Sequence, residues 1–266
     1  MRKVGFIVNP IAGMGGAVGL KGTDGKEALK EAIRRGAKPV SSKRALRFLK
    51  EMQRRAMPAE FLIAPGAMGG ELATQLKLEH KPIGTIGITT TSEDTTRIAR
   101  LMKQEKPDLI VFCGGDGTAR DILEGVGLGI PVLGVPAGVK IYSSVFAINP
   151  VAAAESAADF LEGQIGQRTG EVVDVDEAAY RNNRLSIKLF GHLTTPDSGP
   201  LVQTSKSPSG SSEDMDLEAI AEFVIEEMRP DWIYVLGPGS TVDRIARRMR
   251  IEKTLLGVDA VKGDGT

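Results

Sequence analysis

Gly114-Gly115-Asp116-Gly117-Thr118 is the stretch best equipped for chemistry. It ends the apolar run 109–113 and opens a helical pattern continued by Ala119 and Ile122. Glycines admit positive φ and let phosphate oxygens approach the backbone. A helix start adds free N–H groups and the positive end of a dipole. A carboxylate beside a phosphate site is electrostatically awkward unless it acts. Asp116 could take the proton of an attacking hydroxyl, or orient Mg²⁺ through water. The plainer alternative is a helix N-cap, because Asp-Gly is common turn chemistry. The chain holds its own control, since Gly263-Asp264-Gly265-Thr266 repeats four of these letters with no helix after them. That copy reads as a hairpin turn. The flanking strand and helix, not the letters, single out Asp116.

Three more loops could meet a nucleotide. Asn9-Pro10-Ile11-Ala12-Gly13-Met14-Gly15-Gly16 ends the first strand. Its third spaced glycine, Gly19, comes one place late for a dinucleotide fingerprint, and Gly-Lys-Ser/Thr is absent. It reads as a long glycine-rich flap running to Gly25, in which Lys21 could meet a phosphate or simply be solvated. The loop 135–144 follows another strand and offers Gly138, Lys140, Ser143 and Ser144 to phosphate or ribose. Gly237-Pro238-Gly239-Ser240-Thr241 follows a strand as well and echoes the pattern around Asp116. A weaker candidate is Pro65-Gly66-Ala67-Met68-Gly69-Gly70-Glu71. Asp174, Asp176 and Glu177 close a later strand. They could bind ribose hydroxyls or a metal, or be a solvated strand end.

The elements that must position these loops alternate. Runs 4–8, 60–64, 83–88, 109–113 and 131–135 read as strands, largely apolar and so covered on both faces. Helical patterns lie at 43–55, 95–104 and 152–162, with capping chemistry at Thr91-Ser92-Glu93-Asp94. Such alternation predicts an α/β fold with a mostly parallel sheet, whose ligands sit at the carboxyl ends of the strands. Beyond residue 165 the reading changes to longer strands at 171–175 and 185–190, a polar loop over 194–214, a helix at 215–228, and strands at 232–236 and 255–261. Two domains are expected, 1–165 α/β and nucleotide-binding, 166–266 β-rich and substrate-binding. The turn at 263–265 lacks a following strand, which suggests a chain truncated at that end.

Composition bounds the rest. The 266 residues are 41% hydrophobic and 26% charged, with 34 basic and 34 acidic side chains. Such a balance predicts neither nucleic acid nor an anionic membrane as partner. One cysteine, Cys113, excludes an internal disulfide and fits a cytoplasmic setting. Two separated histidines, His80 and His192, exclude a cysteine/histidine zinc cluster and leave a carboxylate as the expected general base, with Mg²⁺ expected on the donor phosphates rather than in a protein cage.

Together these motifs resemble a known family. Gly-Gly-Asp-Gly-Thr after a strand resembles the superfamily of NAD kinases, diacylglycerol and sphingosine kinases and 6-phosphofructokinases. The stretches 9–16, 18–25, 134–140, 174–177 and 236–241 are similar to prokaryotic predicted ATP- or polyphosphate-dependent NAD kinases. The resemblance implies an α/β N-terminal domain, a β-rich C-terminal domain and an active site between them. It implies Asp116 as catalytic base, Gly114, Gly115, Gly117 and Thr118 around phosphate, and Asn9 near the nucleotide. Well-studied NAD kinases grip adenosine with an Asn-Glu pair, for which Asp176-Glu177 stands in here. The activity implied is transfer of phosphoryl from ATP or polyphosphate, with Mg²⁺, to the 2′-hydroxyl of NAD. The alternatives are a kinase for a polyol, sugar or lipid head group, or a nucleotide sensor without catalysis. An aromatic content of 5% argues against the lipid. The expected partners are small-molecule nucleotides and further copies of the chain in a homo-oligomer.

Overall fold

The computed structural model describes residues 1–14, 26–37, 40–137, 141–175, 187–202, 221, 224–225, 228–254, 257–263 and 265. Five parallel strands form one sheet: β1 (Arg2–Val8), β2 (Ala59–Ile63), β3 (His80–Pro82), β4 (Leu109–Gly114) and β5 (Val132–Pro136). Their order is β3-β2-β1-β4-β5. Helices α1 (Lys26–Arg34), α2 (Ser41–Arg54), α3 (Gly70–Gln75), α4 (Ser92–Gln104), α5 (Asp116–Val126) and α6 (Pro150–Leu161) occupy the connections and the stretch after β5. The expected α/β fold with a mostly parallel sheet is therefore present.

The apolar runs conceal a period of two. In β4, Leu109, Val111 and Cys113 join one buried cluster with α2 and α6. Ile110 and Phe112 join the other with α4 and α5. A strand covered on both faces needs apolar residues at every position, so its alternation disappears from the sequence. Phe6 stacks on Phe48 on the first face, and Phe112 meets Phe146 edge-on on the second.

Helix starts follow their capping chemistry. Thr91 and Asp94 form a capping box at α4. Asn149 caps α6, its side-chain oxygen accepting from Val151 and Ala152 amides, with Pro150 beginning the helix.

Three expected elements move. The strand read at 83–88 is β3, three residues earlier. The Ile83 amide still donates to Ile63, but Gly84 then takes φ +76° and turns the chain away from the sheet. The strand read at 185–190 is β7 (Ile187–Pro196), which runs into the start of the predicted loop. It pairs antiparallel with β6 (Gln167–Val175), whose own start precedes the expected 171. The strand read at 255–261 is β9 (Asp259–Lys262), paired antiparallel with β8 (Ile233–Leu236). Between them runs α7 (Ser240–Arg248). Most of the expected helix 215–228 and of the loop 194–214 lies outside the described residues. Among those described, no helix is long and apolar enough to cross a membrane.

Candidate active site

Strand β4 lies inside the sheet, with β1 and β5 on its two sides. The chain leaves β1 toward β2 and leaves β4 toward β5, so the direction of winding reverses between β1 and β4. Ligands of open α/β sheets favour that crevice, at the carboxyl ends of the strands.

Here three loops are knitted together. The Asn9 amide donates to the Cys113 carbonyl at 2.9 Å, and the Ala137 amide to the Gly114 carbonyl at 2.8 Å. The Asn9 side-chain Nδ2 donates to Thr118 Oγ1 at 3.0 Å, while its Oδ1 accepts from the Ile11 amide at 3.2 Å. Gly13, at φ +81°, crosses the Ala137 carbonyl so closely that a Cβ would lie 2.2 Å from its oxygen. Only glycine fits that crossing. Asn9, Gly13, Gly114, Gly115, Asp116, Gly117, Thr118 and Ser143 are thus brought to one edge of the sheet.

Asp116 is the first residue of α5, and Gly115 is the N-cap, with no side-chain capping bond. The N-cap alternative is therefore ruled out. Its carboxylate accepts instead from the loop across the crevice, from the Tyr142 amide on Oδ2 and the Ser143 amide on Oδ1, both at 2.9 Å. Only 7% of Asp116 is exposed. Burial, with a smaller contribution from the charge of Asp174, pushes its pKa up to about 6, against the pull of the Ser143 and Tyr142 hydrogen bonds. A carboxylate in that range is charged near neutral pH yet still a useful proton acceptor.

The loop glycines have different duties from those first expected, since none of Gly114, Gly115 and Gly117 has positive φ. A Cβ on Gly114 would strike Thr118, 2.3 Å from Oγ1. Gly115 and Gly117 face open space where a side chain would stand. They leave the amides at the start of α5 approachable, which is what a phosphate needs.

Two features were not legible in the sequence. The Ser143 hydroxyl is fully buried and engages the backbone of Val173, donating to its carbonyl at 2.9 Å and accepting from its amide at 3.1 Å. Ser144 adds a second fastening at Glu171, its Oγ accepting from the Glu171 amide at 2.8 Å and its own amide donating to the Glu171 carbonyl at 3.0 Å. The loop that holds Asp116 is therefore fastened to β6. The Cys113 thiol, next to the glycines, is pushed up to about 12 by burial and donates to the Ser41 carbonyl, so it is no nucleophile.

Gly237, Gly239, Ser240 and Thr241 stand apart at the start of α7. Their unit has its own small cluster of Leu236, Ala246 and Val261. Among the described residues no hydrogen bond joins them to the three loops. The echo of the Asp116 loop is local only, because β8 pairs antiparallel whereas β4 is parallel on both sides. Gly15, Gly16, Lys21, Gly138, Lys140, Asp176 and Glu177 lie outside the described residues. The weaker candidate 65–71 forms a short 3₁₀ turn and the start of α3, lining a shallow depression with His80 and Pro82. Among the described residues no group of three or more His, Cys, Asp and Glu could hold a metal ion.

Residues 4–165 match the ATP-NAD kinase N-terminal domain, more than half of the chain. The chain belongs to the ATP-NAD kinase family. That match contains Asp116 and all three loops, so the matched part of the chain is the one that carries them. No curated protein matches the chain. Two solved structures from Bacillus anthracis str. Sterne, each provisionally named a diacylglycerol kinase, are similar to this chain. One is 18% identical with a TM-score of 0.34, over 65% of this chain and 45% of the other. The second is 14% identical with a TM-score of 0.34, over 88% and 59%. The chain thus spans less than two thirds of the length of either, and similarity at that level carries nothing about activity.

Proposed function

We propose that the chain transfers the terminal phosphoryl group of ATP, or of a polyphosphate, to the 2′-hydroxyl of the adenosine ribose of NAD, giving NADP. The observation that carries the reading is Asp116, a buried carboxylate with pKa raised to about 6 at the start of α5, beside Gly115 and Gly117, where open space stands in place of side chains. The acceptor oxygen forms a bond to phosphorus as the bond from phosphorus to the donor's bridging oxygen breaks. Asp116 receives the hydroxyl proton, and the shortened donor leaves. The helix start and the glycines suit the donor's phosphates, where the dipole and free N–H groups favour negative charge. Mg²⁺, when present, would ride on those phosphates and offset their charge.

The test is NADP formation from NAD with ATP or polyphosphate and Mg²⁺, on the wild type and Asp116→Asn. Turnover in the wild type that falls at least ~100-fold in Asp116→Asn supports the reading. Asparagine turnover equal to wild type removes Asp116 as base. A second reading has one observation in its favour: the family match ends at residue 165. The half expected to hold the acceptor is outside it, so another alcohol could use the same base. A panel of polyols, sugars and lipid head groups, assayed for donor consumption, separates the two.

A further inference from the structure

The carboxylate of Asp116 is oriented from outside its own helix. Gly115 gives α5 no side-chain cap, and the two amides that donate to Asp116 belong to Tyr142 and Ser143. With one donor on each oxygen, the plane of the carboxylate is fixed. The donors are held in turn by β6. Ser143 engages both backbone groups of Val173 through its hydroxyl, and Ser144 bonds Glu171 through its hydroxyl and its amide. The Ser144 carbonyl also accepts from Arg168 Nη2 at 2.6 Å. Gly170 makes room for this approach, since a Cβ there would lie 2.7 Å from Val145 Cγ1 and 3.2 Å from the Ser144 carbonyl oxygen. Apolar packing runs the same way. Ile141 and Val145 of the loop, Ala119 and Ile122 of α5, and Val172 and Leu193 of the β6–β7 pair are buried in one cluster. Among these apolar side chains Ser143 and Ser144 are themselves buried, where a hydroxyl is costly unless bonded. Both hydroxyls are bonded to β6. That strand begins at Gln167, beyond the residues 4–165 that match the family, so a carboxylate in the matched part is oriented by a strand outside it.

We propose that Ser143 and Ser144 are positioning residues of this site: their hydroxyls hold the loop on β6 and so keep the Tyr142 and Ser143 amides on the two oxygens of Asp116. Their part in catalysis rests on the reading of Asp116 as the base. The two serines differ in a useful way. Ser143 adjoins Asp116, and its hydroxyl and amide both pull the carboxyl pKa down. The Ser144 hydroxyl bonds Glu171, so its effect on Asp116 is carried by the loop. Donated hydrogen bonds favour the charged carboxylate, and losing them raises its proton affinity. Loosening that merely admits water has the opposite sign, because burial is the largest influence raising Asp116. The titratable groups that bear on Asp116 are Tyr142 on the loop and Asp174 on β6, the latter ion-paired to Arg120 on α5. None of these is altered when a serine is replaced, so a shift in Asp116 reports the loop.

The experiment is a carbon-13 NMR titration of the side-chain carboxyls of the full chain without substrate, with the Asp116 resonance identified by its loss in Asp116→Asn. The expected wild-type midpoint is near pH 6. Ser143→Ala should raise it by at least about half a pH unit, and Ser144→Ala should raise it by a smaller amount. Asn149→Ala, which weakens α6 on the other face of the sheet, should leave it unmoved. If Ser143→Ala does not fold, Ser144→Ala decides. A midpoint that stays or falls in a folded serine variant, or that rises as much in Asn149→Ala, overturns the proposal. No donor or acceptor enters the titration. A chain that makes no NADP therefore fails the kinase assay while leaving this result intact, and the two failures are told apart.

Discussion

At the scale of single residues, Asp116 couples the chemistry to stability. Its pKa is raised from 3.8 to about 6, so between those values the folded chain holds a proton that the unfolded chain has lost. Stability from this group is full below about pH 4 and declines as pH rises through 6. The whole decline is on the order of 3 kcal/mol. Asp116→Asn has no proton to lose. Denaturant unfolding at pH 4.5 and 7.5 should therefore show the asparagine variant gaining on the wild type by a substantial part of that amount. Parallel pH curves for the two proteins would contradict a raised Asp116. The glycines beside it make a second residue-scale test. Gly114→Ala drives a methyl into the Cβ side of Thr118 and should cost roughly 1–3 kcal/mol, breaking the Asn9–Thr118 contact. Gly117→Ala meets open space inside α5 and should leave stability unchanged or raised by up to ~1 kcal/mol. The same methyl stands where a phosphate would approach, so nucleotide binding by calorimetry should weaken about tenfold or more, roughly 1.4 kcal/mol. A Gly117→Ala variant with undiminished binding would move the phosphates away from the start of α5.

At the scale of elements, the site depends on helix starts being well made, because each loop hands its chain to a helix. Asn149 shows this most simply. Its side chain takes two amides at the start of α6, the helix that covers one face of β5. Asn149→Ala should cost about 1 kcal/mol, with little effect on the titration of Asp116, which lies on the opposite face. The buried loop 141–144 is the link between elements that bears most directly on Asp116. It leaves β5, donates to Asp116 and ends against β6, so a shift of the β6–β7 pair reaches the base through two serine hydroxyls.

At the scale of the molecule, among the described residues, the sheet has two large clusters and the β8–β9 unit has a small one. Phe6, Phe48, Phe112 and Phe146 are fully buried around the sheet. The β8–β9 unit buries Leu236, Ala246 and Val261 and leaves Ile233, Val235 and Val258 exposed. A core of that size supports little local stability. Hydrogen exchange followed by mass spectrometry should therefore show β8 and α7 exchanging well before β1 and β4. Equal protection in both regions would mean that the small unit is held by more than its own core.

The sequence by itself determined the local features of this protein. Apolar runs bounded by glycine and proline marked β1, β2, β4 and β5. Capping residues marked α4, and the strand–glycine–helix succession marked Asp116. These are set by neighbours a few residues away, so they are written in order along the chain. Tertiary structure alone decided which loops meet, because contacts between residue 9 and residue 118, or 116 and 143, depend on strand order rather than on spacing. It decided that Asp116 is clamped by backbone amides and not a cap, since the donors come from another loop. It moved β3, because Gly84 bends an edge strand that has pairing on one side only. It also brought Arg120, Asp174 and Phe190 into contact through a bulge that no local pattern announces. Charge effects on Asp116 act across space between elements, and only the packing of α5 on the β6–β7 pair sets those distances.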